Sequence, residues 1–279
     1  MAFGISLPRA ERTNSSWSRL TGATFARLTG QAAGWIVPLL LVVIWQAASA
    51  AGLLAGDILP APLDVVTAAV RLVKSGELVE DMRVSFLRAM AGFAVGGGIG
   101  FALAIANGLS STSERLLDST LQMLRNVPHL ALIPLVILWF GIDEGAKLFL
   151  VALGVFFPIY LNTLHGIRSV DPHLVEMGES YGMGRFELFR RVILPGALPS
   201  IFVGLRYALG IMWLTLIVAE TIAANSGLGY MAMQAREFMQ TDVVVLAIVI
   251  YALLGKVADI SAKLLERLCL AWHPSFQAR

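Results

Sequence analysis

The stretch EMGESYGMGRFELFRRVILP, residues 176–195, belongs to a polar segment that separates two long apolar runs. Apolar residues recur at helical spacing on both sides of Gly182. The whole segment, residues 166–197, is long for a turn and too polar to cross a bilayer. Glycine adopts backbone conformations that other residues avoid. The pattern therefore predicts two short helices that bend at Gly182, with a turn at Pro195 toward the next apolar run.

Long apolar runs dominate the rest of the sequence. Hydrophobic residues make up 57% of the 279 residues and charged residues 14%, with a mean hydropathy of +0.75. Soluble domains carry about 25% charged residues, and a membrane span needs about 20 apolar ones. The runs predict six spans, at roughly Trp35–Leu54, Phe86–Leu109, Leu121–Phe140, Ala146–His165, Leu198–Ala223 and Val243–Ala262. We therefore expect an all-α membrane protein.

Basic residues predict the orientation of the chain. If the N-terminus is inside, the inner segments hold most of the Lys and Arg residues that lie between the spans, as cytoplasmic segments usually do. Both termini are therefore expected in the cytoplasm. We expect a permease domain over residues 35–265, with cytoplasmic tails at residues 1–34 and 266–279. The first tail is rich in Ser, Thr and Arg, and we expect it to be flexible.

Composition and missing motifs exclude several function classes. The net charge of +2 provides no basic field for nucleic acid. Cys269 is the only cysteine, which rules out an intrachain disulfide and a cysteine-based zinc site. The sequence contains no G-x4-G-K-[ST] phosphate loop and no recognisable catalytic motif. We expect no catalytic residue, metal ligand or cofactor in this chain, so a partner must hydrolyse ATP if transport is active.

The segment 176–195 resembles the EAA loop of the permeases of binding-protein-dependent ABC importers, whose pattern is E-A-A-x3-G-x9-I-x-L-P. Glu176, Gly182, Leu194 and Pro195 match the pattern. The departures are Met177 and Gly178 for the two alanines and Val192 for isoleucine. In that family the loop is a coupling helix that seats in a groove of the ATP-binding subunit. The resemblance implies coupling roles for Glu176, Gly178, Glu179, Gly182, Val192, Leu194 and Pro195.

The resemblance extends over most of the chain, from about residue 37 to residue 272. Residues 126–138 and 194–230 resemble the nitrate, sulfonate and taurine class of these permeases, and residues 235–268 look like the aliphatic-sulfonate permeases. It implies the type I, MetI-like fold with six spans and a cytoplasmic coupling helix, in a bacterial inner membrane. The implied partners are two copies of an ATP-binding subunit that uses ATP and Mg, an extracytoplasmic solute-binding protein, and a second copy of this chain.

The function implied by this resemblance is ATP-driven import of aliphatic sulfonates. Taurine, nitrate or another small organic solute is the alternative cargo, because in this class selectivity rests mainly with the binding protein. A secondary transporter that uses an ion gradient is a further alternative. It would have acidic residues in mid-span and inverted repeats, and the sequence shows neither clearly.

Four polar residues in or near the spans are candidates for the translocation path, namely Arg125, Asn126, His129 and Glu220. The first three lie near the inner start of the third predicted span, where a cation and hydrogen-bond donors favour an anion. A carboxylate at Glu220 would repel an anion. We therefore expect Glu220 to form a structural or gating pair with a basic residue such as Arg88 or Arg236.

Overall fold

The computed structural model describes residues 36–56 and 58–272. Within these residues every regular element is helical, which confirms the predicted all-α class. The elements are α1 (Ile36–Ala50), α2 (Pro62–Ser75), α3 (Glu77–Leu109), α4 (Ser111–Arg125), a 3-10 helix (His129–Leu132), α5 (Ile133–Phe140), α6 (Glu144–Arg168), α7 (Pro172–Ser180), α8 (Arg185–Leu188), a π-helix (Phe189–Ile193), α9 (Leu194–Ala223), α10 (Leu228–Glu237) and α11 (Thr241–Cys269). The predicted N-terminal tail and the last seven residues of the predicted C-terminal tail lie outside the described residues.

In the described part of the chain, four helical segments are long and apolar enough to cross a bilayer, namely α3, α6, the continuous helix Arg185–Ala223 and α11. They contain the second, fourth, fifth and sixth predicted spans, which are confirmed. α1 covers most of the first predicted span, but it is shorter than the roughly 20 residues of a full crossing.

The third predicted span, Leu121–Phe140, is wrong as a single helix. α4 ends at Arg125 and the apolar helix α5 begins at Ile133, and the two halves are bent by 80°. Pro128 explains the break, because proline has no N–H to donate and disfavours helical backbone in the residue before it. α4 and α5 therefore form a fifth candidate span only as a bent pair.

α6 lies at the centre of the bundle, between α3 and α9. On α3, Gly92, Gly96 and Gly100 recur at intervals of four, a spacing that predicts close packing of membrane helices. A Cβ atom on Gly96 would collide with the carbonyl oxygen of Ala152, and one on Gly100 would lie 2.7 Å from that of Phe156. The glycines therefore let the backbones of α3 and α6 touch directly.

The main apolar core joins α2, α3, α6, α9, α10 and α11. Leu72 of α2, Val155 of α6, Met212 of α9 and Leu246 of α11 are among its buried members. Many large apolar side chains on α1, α3, α5 and α11 are exposed instead. Exposure of this kind is expected where the solvent is lipid, which is as apolar as the side chains themselves.

Candidate functional site

The segment after α6 forms a helical hairpin, α7 and α8, at one end of the bundle. Asp171 caps α7 by accepting a hydrogen bond from the backbone N–H of His173 at 2.9 Å, and Pro172 occupies the first helical position. Glu176 and Glu179 are exposed on α7. The hairpin therefore presents both candidate carboxylates outward, where another chain can reach them.

Gly182 makes the bend between the two helices of the hairpin. Its φ is +80°, in the left-handed region, and its N–H donates to the carbonyl oxygen of Glu179 at 2.9 Å. A Cβ atom here would meet nothing within 4 Å, so the need for glycine comes from the backbone conformation alone. The predicted glycine bend and the short helix before it are confirmed, whereas the helix after the bend is not short.

Gly178 is packed closely against the next helix. It is buried, and a Cβ atom on it would lie 2.6 Å from Leu188 Cδ1 and 3.7 Å from Val192 Cγ2. The missing side chain lets α7 lie directly on the segment that leads into α9. Glycine in place of the alanine of the family pattern therefore fits the packing of this hairpin. Two of the predicted coupling residues, Gly178 and Val192, are neighbours in it.

The expected turn at Pro195 is wrong, because the chain runs as one continuous helix over Arg185–Ala223. Its Phe189–Ile193 segment is π-helical, and the N–H of Leu194 donates to the carbonyl oxygen five residues back. The wider turn accommodates Pro195, which has no N–H to donate to the preceding turn. Leu194 and Pro195 therefore begin α9 without a break, and the hairpin leads straight into a membrane helix.

The hairpin carries exposed apolar side chains beside its charges. The large ones are Leu174, Met177, Tyr181 and Phe186. Exposed charged residues on the hairpin and just after it include Glu176, Glu179, Arg185 and Arg190. An exposed apolar patch with a polar rim is typical of a protein interaction site. We refer to these eight side chains as the hairpin surface.

A cavity of about 560 Å³ lies where the third span is broken. Arg125, the last residue of α4, and His129 of the 3-10 helix line it together with Asn162 of α6 and Tyr207 of α9. Asn126 is exposed at the C-terminal cap of α4. The structure thus brings Arg125 and His129 to one cavity. Asn162 and Tyr207 were not predicted, because single polar residues on separate helices give no local signal in the sequence.

His129, which lines this cavity, is hydrogen-bonded to Thr215 of α9, and its Nε2 atom lies 3.0 Å from Thr215 Oγ1. Gly154 leaves room for this hydrogen bond. A Cβ atom on Gly154 would lie 2.9 Å from Thr215 Oγ1 and 3.3 Å from His129 Nε2. The imidazole of His129 is therefore held in place by a partner on α9.

Glu220 lies outside the cavity, in a buried polar cluster between α3, α9, α10 and α11. Its carboxylate accepts hydrogen bonds from Arg88 Nη1 at 2.9 Å, from the hydroxyls of Ser85 and Tyr251, and from the backbone N–H of Gly229 at 3.0 Å. Arg88, one of the two basic residues expected as partners, forms the ion pair. Glu220 is thus a structural anchor in this arrangement.

Arg88 extends the cluster to the surface of the bundle. Its Nε donates to Glu144 Oε2 at 2.6 Å, its Nη1 donates to the carbonyl oxygen of Ser226 at 2.6 Å, and Lys147 Nζ donates to Glu144 at 3.0 Å. The Glu144 side chain is 57% exposed. α6 begins at Glu144 and reaches the hairpin only after 25 residues, about 37 Å of helix. The cluster and the hairpin therefore lie at opposite ends of the bundle.

Comparisons with known proteins agree with this architecture. Residues 96–269 match the family described as binding-protein-dependent transport system inner membrane component. Over 247 residues the chain is 63% identical to the putative aliphatic sulfonates transport permease protein SsuC of Escherichia coli K12, which covers 88% of this chain and 94% of that protein. It is 45% identical over 244 residues to the protein of the same name from Bacillus subtilis 168, covering 88% of each chain.

A solved structure shares the fold. The crystal structure of an amino acid ABC transporter with histidines aligns with a TM-score of 0.58 at 18% identity, covering 71% of this chain and 97% of that chain. This similarity bears on the fold alone, and it confirms the MetI-like architecture. With a family match over most of its length, the chain belongs to the inner membrane components of binding-protein-dependent transport systems, the permeases of ABC importers.

Proposed function

We propose that this permease forms the translocation path of an ATP-driven importer of aliphatic sulfonates. The observation that carries the proposal is the 63% identity, over 88% of the chain, to a permease named for that substrate class. Family membership makes the chain a permease, and the identity to this relative favours the substrate. The cargo would be an organic anion that stays ionised at every physiological pH.

The energy source in this proposal is a separate ATP-binding subunit, present in two copies, that uses ATP and Mg²⁺. The hairpin surface supports such a partner, because it combines exposed apolar side chains with the carboxylates of Glu176 and Glu179. Carboxylates of this kind form strong, directional hydrogen bonds with arginine side chains. Each of two permease copies would seat one hairpin in the groove of one ATP-binding subunit.

Movement of the hairpin would reach the membrane through one helix. The continuous helix Arg185–Ala223 joins α8 to α9 over 39 residues, so a displacement at its hairpin end is carried along the span. Near the far end, Glu220 on α9 is tied to Arg88 on α3, which in turn binds Glu144 on α6. These contacts support rigid-body motion of the bundle as the coupling mechanism.

The hairpin is assigned to the cytoplasmic side of the bacterial inner membrane, together with both termini. The excess of basic residues in the segments on that side supports this orientation. The Arg88–Glu220 cluster then lies near the outer surface, where an extracytoplasmic binding protein would deliver the cargo. A second copy of the chain would complete the path at a two-fold axis.

The secondary transporter is disfavoured by the surroundings of Glu220. A proton- or ion-coupled carrier needs an acidic residue that can bind and release its ion. Glu220 instead accepts hydrogen bonds from Arg88, Ser85, Tyr251 and the backbone of Gly229. A carboxylate held by these donors is suited to structure rather than to ion exchange.

The substrate proposal can be tested by growth on a single sulfur source. A bacterial strain without its own sulfonate and taurine permeases would receive this chain together with its ATP-binding subunit and binding protein. We expect growth on ethanesulfonate and butanesulfonate, and none when this chain is omitted. Growth restored on taurine alone, or uptake of nitrate without growth on either alkanesulfonate, would overturn the substrate assignment in favour of the alternative cargo.

A further inference from the structure

The cavity at the broken third span has the chemistry of a site for an amphiphile. Its volume of about 560 Å³ lies within the range of about 300–1,000 Å³ that small-molecule sites occupy. Most of its lining is aliphatic or aromatic, from Leu121, Leu124, Leu153, Phe156, Phe157 and Ile211. Such a lining favours an apolar group and gives little reason to bind a small hydrated ion.

Polar groups lie at the hairpin side of the cavity. Asn162 stands eight positions after Gly154 on α6, and Tyr207 stands eight positions before Thr215 on the antiparallel helix α9. Eight residues of helix measure about 12 Å. Arg125 and Tyr207 are exposed, whereas Gly154 and Thr215 are buried. Along α6 the polar residue Asn162 is therefore about 12 Å from the buried Gly154, which marks the deep end of the cavity, and Arg125 lines the same cavity.

The deep end of the cavity lies at Gly154, where there is no side chain beyond a hydrogen atom. A Cβ atom on Gly154 would press on Thr215 Oγ1 at 2.9 Å and on Ile211 Cγ2 at 3.2 Å. The imidazole of His129, which is hydrogen-bonded to Thr215, forms part of this deep end. Gly154 and Ile211 thus set how far an apolar chain can enter.

We propose that this cavity is a substrate subsite of the permease, which takes the apolar tail of an alkanesulfonate and places the sulfonate at the rim formed by Arg125, Asn162 and Tyr207. The inference rests on the proposed import of alkanesulfonates. It adds a selectivity step inside the membrane subunit. The permease itself would bind alkanesulfonates of different tail length with different affinity, in addition to the selectivity of the binding protein. Each further methylene that enters the lining tightens binding about fourfold until the deep end is reached.

The test uses the permease with its ATP-binding subunits in nanodiscs, without binding protein. Linear alkanesulfonates from ethanesulfonate to octanesulfonate are titrated calorimetrically, with empty nanodiscs as the measure of lipid partitioning. n-Alcohols of equal tail length test the need for the anionic group. In the unaltered complex we expect affinity to rise about fourfold per methylene up to a limiting length, and the alcohols to bind more weakly than the sulfonates.

Variants locate the effect in this cavity. Ile211→Ala should move the limiting length to longer tails, and Gly154→Ala should move it to shorter ones. Arg125→Gln should weaken all sulfonates by a similar factor and leave the alcohols unchanged. Gly210→Ala is the control, because a Cβ atom there meets nothing within 4 Å. If Gly154→Ala fails to fold, the increase in limiting tail length in Ile211→Ala is sufficient to test the subsite.

An affinity that does not depend on tail length, or a limiting length unchanged in Ile211→Ala, would overturn the subsite. ATP-driven uptake of the same alkanesulfonates is measured in parallel on the same complex with its binding protein. Uptake without tail-dependent binding would remove the subsite and leave the proposed function standing. Absence of uptake of every alkanesulfonate would remove the proposed function and the subsite with it.

Discussion

Arg88 of α3 and Glu220 of α9 form an ion pair that is shielded from the surroundings of the bundle. Arg88 Nη1 lies 2.9 Å from Glu220 Oε1, and the two side chains are 6% and 0% exposed. Ser85, Tyr251 and the backbone of Gly229 satisfy the rest of the carboxylate. The pair therefore locks the helices together at the end of the bundle opposite the hairpin.

Removing the cation of this pair should destabilise the protein strongly. Arg88→Met leaves Glu220 as an unpaired buried carboxylate, which we expect to lower the free energy of unfolding by about 3–5 kcal/mol. Arg83→Met, on the same helix, is the matched control. Its pair with Glu80 is 67% and 62% exposed, so its loss should cost less than about 1 kcal/mol. Unfolding of both variants in mixed micelles measures the difference, and equal losses would contradict an anchoring role for Arg88.

Gly182→Val and Glu176→Lys should uncouple ATP hydrolysis from transport. Valine at φ +80° is strained by about 1–2 kcal/mol, so it should redirect α7, and lysine inverts the charge of the hairpin surface. We expect both variants to insert in the membrane and to lose uptake and substrate-stimulated ATPase activity. Gly184→Ala is the control, since its φ is −69° and a Cβ atom has open space there. Normal uptake by both hairpin variants would remove the coupling assignment.

Close packing of α3 on α6 should be sensitive to one methyl group. Gly96→Ala would drive a Cβ atom into the carbonyl oxygen of Ala152, which we expect to cost about 1–3 kcal/mol of stability. Gly98→Ala, two residues along the same helix, places its methyl group in open space and should change stability by less than about 0.5 kcal/mol. Thermal unfolding in detergent compares the two variants, and a similar effect of both would show that α3 does not touch α6 as described.

The chain should form a homodimer with the path between the two copies. We expect a cysteine at Val203, one turn before Tyr207 of the cavity rim on the same face of α9, to crosslink in the membrane on a Cys269→Ser background. A cysteine at Val43 on α1, a different helix, serves as the control, and both native side chains are exposed. Transport by a complex that contains a single permease copy would contradict the prediction, as would crosslinking at Val43 alone.

The sequence was most informative where one residue type has one physical reason to be present. Gly182 predicted the hairpin bend because few other residues tolerate a left-handed backbone, and Gly96 predicted close helix packing because only glycine leaves enough room. The four long spans followed from hydropathy alone. Arg88 could be named as a partner of Glu220 because a charge buried in a membrane needs a counter-charge.

Features that depend on contacts between distant segments were not predictable. The third span reads as one apolar run, yet it is broken after Arg125, because Pro128 interrupts the helix. Pro195 was expected to turn the chain, but the preceding π-helical segment accommodates the proline within one continuous helix. Asn162 and Tyr207 become neighbours of Arg125 only through the packing of α4, α6 and α9. No spacing in the sequence carries that information.

The most direct test of the account is uptake of labelled butanesulfonate into vesicles that hold this permease, its ATP-binding subunit and its binding protein. We expect accumulation that requires ATP, Mg²⁺ and the binding protein, and that stops when the phosphate-loop lysine of the ATP-binding subunit is replaced. Uptake that continues with this inactive subunit and follows an imposed proton or sodium gradient would contradict the account and identify a secondary transporter.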